Sequence, residues 1–242
     1  MNKEIFKNSD DLCKGLADWI TSLIEETLTR QDRFSLVLSG GNTPKKLHEL
    51  LATPHYADRI DWKKIYIFWG DERAVPFDDS RNNARMAFDT LLDQVDIPRD
   101  QIHIIDTGLS PEAAAMEYEE ELSEFFGTDD LPKPSFDLVL LGMGEDGHTL
   151  SLFPGEKVLQ EEKLWVAAYF LKAHEMFRIT LTKNIVNCAT HIVFMISGPE
   201  KARAVHEVLQ GANQPELYPA QLIIPTQGEL HIFLDQAAAS LL

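Results

Sequence analysis

Phe136-Asp137-Leu138-Val139-Leu140-Leu141-Gly142-Met143-Gly144-Glu145-Asp146-Gly147-His148-Thr149-Leu150-Ser151-Leu152-Phe153-Pro154-Gly155 reads as a buried strand running into a glycine-rich turn. The strand part, Leu138 to Leu141, is apolar at every position, as expected of a strand covered on both faces by helices. Glycines at 142, 144 and 147 let the backbone bend sharply and approach a ligand closely. Asp146 precedes His148 by two residues, and a histidine titrates in the physiological range. In open α/β sheets ligands bind beyond the carboxyl ends of the strands. One segment thus supplies a position, backbone donors and a proton acceptor.

Three further apolar runs have the same form. Ser35-Leu36-Val37-Leu38 ends at Gly40-Gly41, Ile65 to Trp69 ends at Gly70, and Ile192 to Ile196 ends near Gly198. Helical periodicity lies between such runs. Leu12, Leu16, Trp19, Leu23, Ile24 and Leu28 recur at spacings of three and four behind Ser9, the expected cap. Ser110-Pro111-Glu112 starts a second helix that runs through Glu124 to Gly127. Trp165–Phe170, Phe177–Thr182 (strictly alternating) and Leu230–Leu234 read as further strands, and 129–134 as a loop. Alternating strands and helices imply an α/β fold, a single open, mostly parallel sheet flanked by helices. The four glycine turns then share one sheet edge. No linker divides the chain, so residues 1–242 are expected to form one domain.

The bulk composition narrows the partners. With 22 Lys and Arg against 39 Asp and Glu, the net charge is −17, which repels nucleic acid and anionic membranes. An anionic substrate is repelled too, so a phosphate site must be built from local cations and amides. No apolar run is long enough to span a bilayer and no signal-like amino terminus is evident, so the chain is expected in the cytoplasm. Cys13 and Cys188 are isolated, which fits buried thiols in a reducing compartment rather than a metal or disulfide pair.

Ser39-Gly40-Gly41-Asn42-Thr43-Pro44 follows the first of these strands. Thr43 is placed to cap a helix beginning at Pro44, and a glycine turn opening a helix offers free N–H groups to an anion. A plain strand-to-helix turn has the same look. The segment is no P-loop, lacking the spaced glycine and its lysine. Gly142, Gly144 and Gly147 match G-x-G-x-x-G, yet a dinucleotide site is excluded. Pro154-Gly155 breaks the chain where a helix is required, and the next strand ends in Leu171 and Lys172, not an acid.

Arg73, Lys172, Arg178 and Lys201 all fall near expected strand ends. Each alone reads as a solvated charge; together at the Gly40-Gly41 turn they would hold a phosphate. Asp71 and Glu72 are either a general-base pair or the support that orients Arg73. Ser151 lacks a G-x-S-x-G elbow and reads as a helix-start or packing residue.

Taken in order, Ser39–Pro44, Gly70-Asp71-Glu72-Arg73 with Val75-Pro76, Leu141–Gly155, Arg178–Thr182, Gly198 with Lys201, and Pro219-Ala220 resemble the 6-phosphogluconolactonase family. The resemblance implies a Rossmann-like sheet shared with sugar-phosphate isomerases and deaminases. It implies hydrolysis of a sugar-phosphate lactone, 6-phospho-D-glucono-1,5-lactone, in the oxidative pentose phosphate pathway. No metal or organic cofactor is expected, and the chain should be a monomer or weak homodimer. His148 and Asp146 become the catalytic pair. Gly40, Gly41, Asn42, Thr43, Asp71, Arg73, Gly144, Arg178 and Lys201 become the substrate contacts.

The chain departs from the family pattern in places. Asn42 stands for a serine, 79–84 replaces a Ser-Asn-Tyr segment with Asn83 as the matching asparagine, and Ala173–Phe177 replaces a proline-containing stretch. His231 stands where an aromatic is common and reads as structural. A deaminase on the same fold is the rival, but Asp146-Gly147-His148 and Leu152-Phe153-Pro154 replace its Asn-Gly-His and Asn-Glu-Pro runs. A catalytically silent phosphosugar sensor is the other, and the retained Asp146 and His148 argue against it.

Overall fold

The computed structural model describes all 242 residues. Nine strands are present: β1 (Asn2–Phe6), β2 (Phe34–Leu38), β3 (Ile65–Trp69), β4 (Asp71–Arg73), β5 (Leu138–Leu141), β6 (Val166–Leu171), β7 (Met176–Leu181), β8 (His191–Ile196) and β9 (Glu229–Asp235). Seven helices accompany them: α1 (Ser9–Thr27), α2 (Asn42–Leu51), α3 (Pro54–Ala57), α4 (Asn83–Ala87), α5 (Pro111–Phe126), α6 (Lys183–Val186) and α7 (Ala202–Leu209).

Six strands form an open sheet in the order β1-β9-β8-β5-β2-β3, and every neighbouring pair is parallel. β2 and β5 are buried at every position and β8 at all but its first, the pattern their unbroken apolar runs foretell. One continuous core of 58 buried residues runs through the sheet and its helices. From β2 the chain builds outward to β3, then crosses back to place β5 on the other side of β2. The sheet order therefore reverses between β2 and β5, the switch point at which open α/β folds bind ligands. The turns after β2 and β5, at Gly40-Gly41 and Gly142–Gly147, flank it.

The other three strands make a separate antiparallel sheet, β4-β7-β6. Gly70 leads into β4 instead of a helix. A side chain at 70 would collide with Leu150, whose φ of 54° places it in the left-handed region. That conformation costs a non-glycine residue roughly 1–2 kcal/mol, in the loop just beyond His148.

Three expected boundaries shift. Asn8, not Ser9, caps α1, its side chain accepting from the Asp11 N–H at 2.8 Å. α2 starts at Asn42 behind Gly41, whose φ of 110° suits glycine, so Thr43 lies within the helix and does not cap it. Ser151 lies in a turn and starts no helix. α5 has the expected Ser110 cap, Pro111 start and left-handed Gly127 end.

Candidate active site

At the switch point a cleft of about 520 Å³ opens between the two glycine turns, the small sheet and the β8 end. Its lining includes ten of the eleven residues of the expected site: Gly40, Gly41, Asn42, Thr43, Asp71, Arg73, Gly144, His148, Arg178 and Lys201. Asp146, the eleventh, stands directly behind His148.

His148 is held on three sides. Its Nδ1 lies 2.6 Å from Asp146 Oδ1, and its own N–H donates to the same oxygen at 3.1 Å. Phe153 stacks on the imidazole with ring centroids 3.9 Å apart and planes 22° apart. Burial pushes the Asp146 carboxyl up, but the hydrogen bond and charge of His148 outweigh it, leaving the group below its ordinary range. An ionised Asp146 fixes the proton on Nδ1 and leaves the Nε2 lone pair free. Gly144 makes room for this pair: a Cβ there would fall on the His148 ring. Ala220 N–H donates to Gly147 O at 2.9 Å, so the turn at Pro219-Ala220 braces the turn that carries His148 from outside.

Not every N–H of the 142–147 turn is available to a substrate. Gly144 N–H donates to His148 O at 2.8 Å and Gly147 N–H to Gly144 O at 3.1 Å. The N–H groups of Met143 and Glu145 have no acceptor within the chain.

The small sheet carries the cations. Antiparallel pairing of β4 with β7 sets Arg73 opposite Arg178, two like charges that repel across strands unless an anion lies between them. Arg178 is 7% exposed and its Nε, like that of Arg73, is buried without a partner. Burial and the nearby Arg73 lower its pKa, against the pull of Asp71. Its Nη2 bonds His174 Nδ1 at 2.9 Å, and its guanidinium sits 5.6 Å from the Phe153 ring centre. Buried donors without acceptors are costly, and an anion at this spot would satisfy them.

Asp71 and Glu72 build support for this pair. Asp71 Oδ2 accepts from the buried Ser151 Oγ at 2.6 Å, so Ser151 is a packing residue. Fully buried, Glu72 accepts from the N–H groups of Arg73 (2.9 Å), Asn83 (2.8 Å) and Ala84 (2.9 Å). It thereby binds the start of α4 to β4. Burial pushes its carboxyl up to about 7, against those three donors. Asn83, the expected family asparagine, donates to Asp71 O at 3.0 Å and packs on Gly40, where a Cβ would strike its amide.

Thr43 Oγ1 meets Ser197 Oγ at 2.9 Å, which ties the start of α2 to the end of β8 beside Lys201. Lys172 does not reach the cleft: it is exposed on a short turn after β6, and His174 two residues on faces the cleft instead. Spacing alone does not mark His174, because its place depends on β7 pairing with β4. Its pKa is lowered by burial and by Arg178 and His148, so a neutral ring accepts from Arg178. Phe153, Glu145, Ser197 and Glu200 also line the cleft.

An open parallel sheet whose switch-point cleft is lined by an aspartate-bound histidine and by paired arginines has the form of the α/β enzymes of small anionic substrates. Comparison narrows the class. The profile of the family described as glucosamine-6-phosphate isomerases/6-phosphogluconolactonase matches residues 7–232, and the chain belongs to that family. A Synechocystis protein named 6-phosphogluconolactonase is 39% identical over 98% of this chain and 94% of its own length. The Nostoc protein of that name is 37% identical over 98% and 96%. The solved structure of 6-phosphogluconolactonase from Trypanosoma cruzi superposes with a TM-score of 0.86 at 28% identity, covering 99% of this chain and 96% of that one. A monomeric glucosamine-6-phosphate deaminase superposes at 0.83 with 22% identity over the whole of both chains, a likeness of fold alone.

Proposed function

We infer that this chain is a hydrolase that opens 6-phospho-D-glucono-1,5-lactone to 6-phospho-D-gluconate. The observation that carries the reading is the 2.6 Å His148–Asp146 contact lining the same cleft as Arg73 and Arg178. Opening a lactone is acyl transfer to water. His148 Nε2 takes the proton from the attacking water, and Asp146 steadies the imidazolium that forms. The free N–H groups of Met143 and Glu145 stabilise the carbonyl oxygen as it becomes an anion. His148 then returns its proton to the departing ring oxygen. No covalent intermediate is required, and Ser151, bonded to Asp71, is not a nucleophile.

Arg73, Arg178, Lys201 and the Gly40–Thr43 turn hold the 6-phosphate, while Asp71 positions Arg178. Bound there, the phosphate anchors the lactone in the cleft that His148 also lines. Remote binding of this kind orients the reacting carbonyl. Residues 1–242 act as one catalytic unit, as a monomer or weak homodimer in the cytoplasm; no helix is long and apolar enough to cross a membrane. Initial rates of lactone opening, corrected for spontaneous hydrolysis, test the reading. The wild type must accelerate the reaction and His148→Ala must lose most of that acceleration.

A further inference from the structure

The end of the main sheet away from the cleft carries a second cluster of chemistry. β8 and β9 run in register there, with His191 opposite Glu229 and Val193 opposite His231. Residues two apart on a strand share a face, so Glu229 and His231 lie on one side of β9. Trp19 of α1 closes over both histidines, 5.8 Å from the His191 ring, which it meets edge-on, and 4.7 Å from the His231 ring. The potential ligand atoms of His191, Glu229 and His231 all lie within 4.8 Å of one another.

Two observations set this cluster apart from ordinary packing. His231 is 6% exposed, and its Nε2 is buried without a hydrogen bond although it lies 3.2 Å from Glu229 Oε2. His191 Nδ1 is also buried without a partner. Buried polar atoms are ordinarily satisfied, and two unsatisfied ring nitrogens beside one carboxylate call for a shared partner. Asp137 and Glu26 add negative potential near His191, while the amino-terminal charge acts on His231 in the opposite sense.

We propose that His191, Glu229 and His231 form a binding site for one divalent transition-metal ion of the zinc type. Two imidazole nitrogens and a carboxylate oxygen are donors that suit Zn²⁺, Ni²⁺ or Cu²⁺, not Mg²⁺ or Ca²⁺, whose sites are built from oxygen. Glu229 is exposed, so the ion enters from solvent, and water completes its shell. Five residues of β8, Ile192 to Ile196, separate His191 from Ser197 in the cleft, on the order of 20 Å of strand. Its role is therefore to clamp β8 to β9 beneath α1 and to stabilise the fold, not to take part in the reaction.

The test is calorimetric titration of the untagged full chain with Zn²⁺ in a non-coordinating buffer near neutral pH, with melting temperature measured alongside. The expected result is one ion per chain and a rise in melting temperature with Zn²⁺. Glu229→Gln, at an exposed position, and His231→Phe should each weaken binding by about tenfold or more and abolish the rise. His148→Ala should leave the binding intact. Absence of saturable binding, or equal affinity in wild type and Glu229→Gln, would overturn the site. So would loss of binding in His148→Ala, which would move the ion to the catalytic cleft.

Discussion

At the scale of single residues, His148 and the atoms that hold it carry the account. Asp146 sets its tautomer, Phe153 stacks on its face and Gly144 leaves its ring space. His148→Ala is expected to lower kcat by roughly 10²–10⁴ with a smaller change in KM, measured in a rate assay corrected for spontaneous opening. Gly144→Ala should fold yet lose activity, because its Cβ displaces the imidazole; near-normal kcat with an unchanged circular dichroism spectrum would refute that steric reading. This part of the site was legible in sequence because the aspartate, the histidine and their glycines fall within five residues, Gly144 to His148. Phe153 sits in the same segment, but its stacking on His148 depends on the turn at 149–152 and has no signature in spacing.

Among the elements, β4 and β7 bring the two arginines of the cleft together, and here the sequence is least readable. A three-residue strand made of Asp71, Glu72 and Arg73 has no apolar pattern. Only its pairing with β7 brings Arg73 against Arg178 and His174 into the cleft. Arg178→Lys is expected to raise KM by about 10- to 100-fold, because one ammonium cannot supply the guanidinium's fork of donors and charge-assisted bonds contribute about 1.5–3 kcal/mol. Steady-state kinetics with the phosphorylated lactone checks it. Glu72 makes a second prediction. Its carboxyl is raised to about 7 in the fold against an ordinary value of 4.5. The folded state thus binds a proton that the unfolded chain releases between those values. Stability from this group is present below about pH 4.5 and is lost as pH rises through about 7, by ~3 kcal/mol at most. Urea unfolding at pH 5.5 and pH 8 should show the loss in the wild type and a smaller one in Glu72→Gln.

For the whole molecule, the order β1-β9-β8-β5-β2-β3 makes distant segments meet at one edge. Four runs, β2, β3, β5 and β8, announced themselves because strands covered on both faces by helices must be apolar throughout. β1 did not: Asn2, Lys3, Glu4 and Ile5 are exposed on an edge strand, which needs no apolar alternation. The metal-ligating cluster stayed hidden because His191 and His231 are 40 residues apart and only strand register joins them. Net charge sets the demand on the cleft: at −17, the molecule repels a phosphorylated substrate everywhere except where Arg73, Arg178 and Lys201 gather. The most direct test compares enzyme-catalysed opening of 6-phosphogluconolactone with that of gluconolactone lacking the phosphate, spontaneous hydrolysis subtracted from both. A large acceleration of the phosphorylated lactone alone is the expected result. Equal acceleration of both would remove the phosphate cradle from the account, and acceleration of neither would contradict the proposed hydrolysis itself.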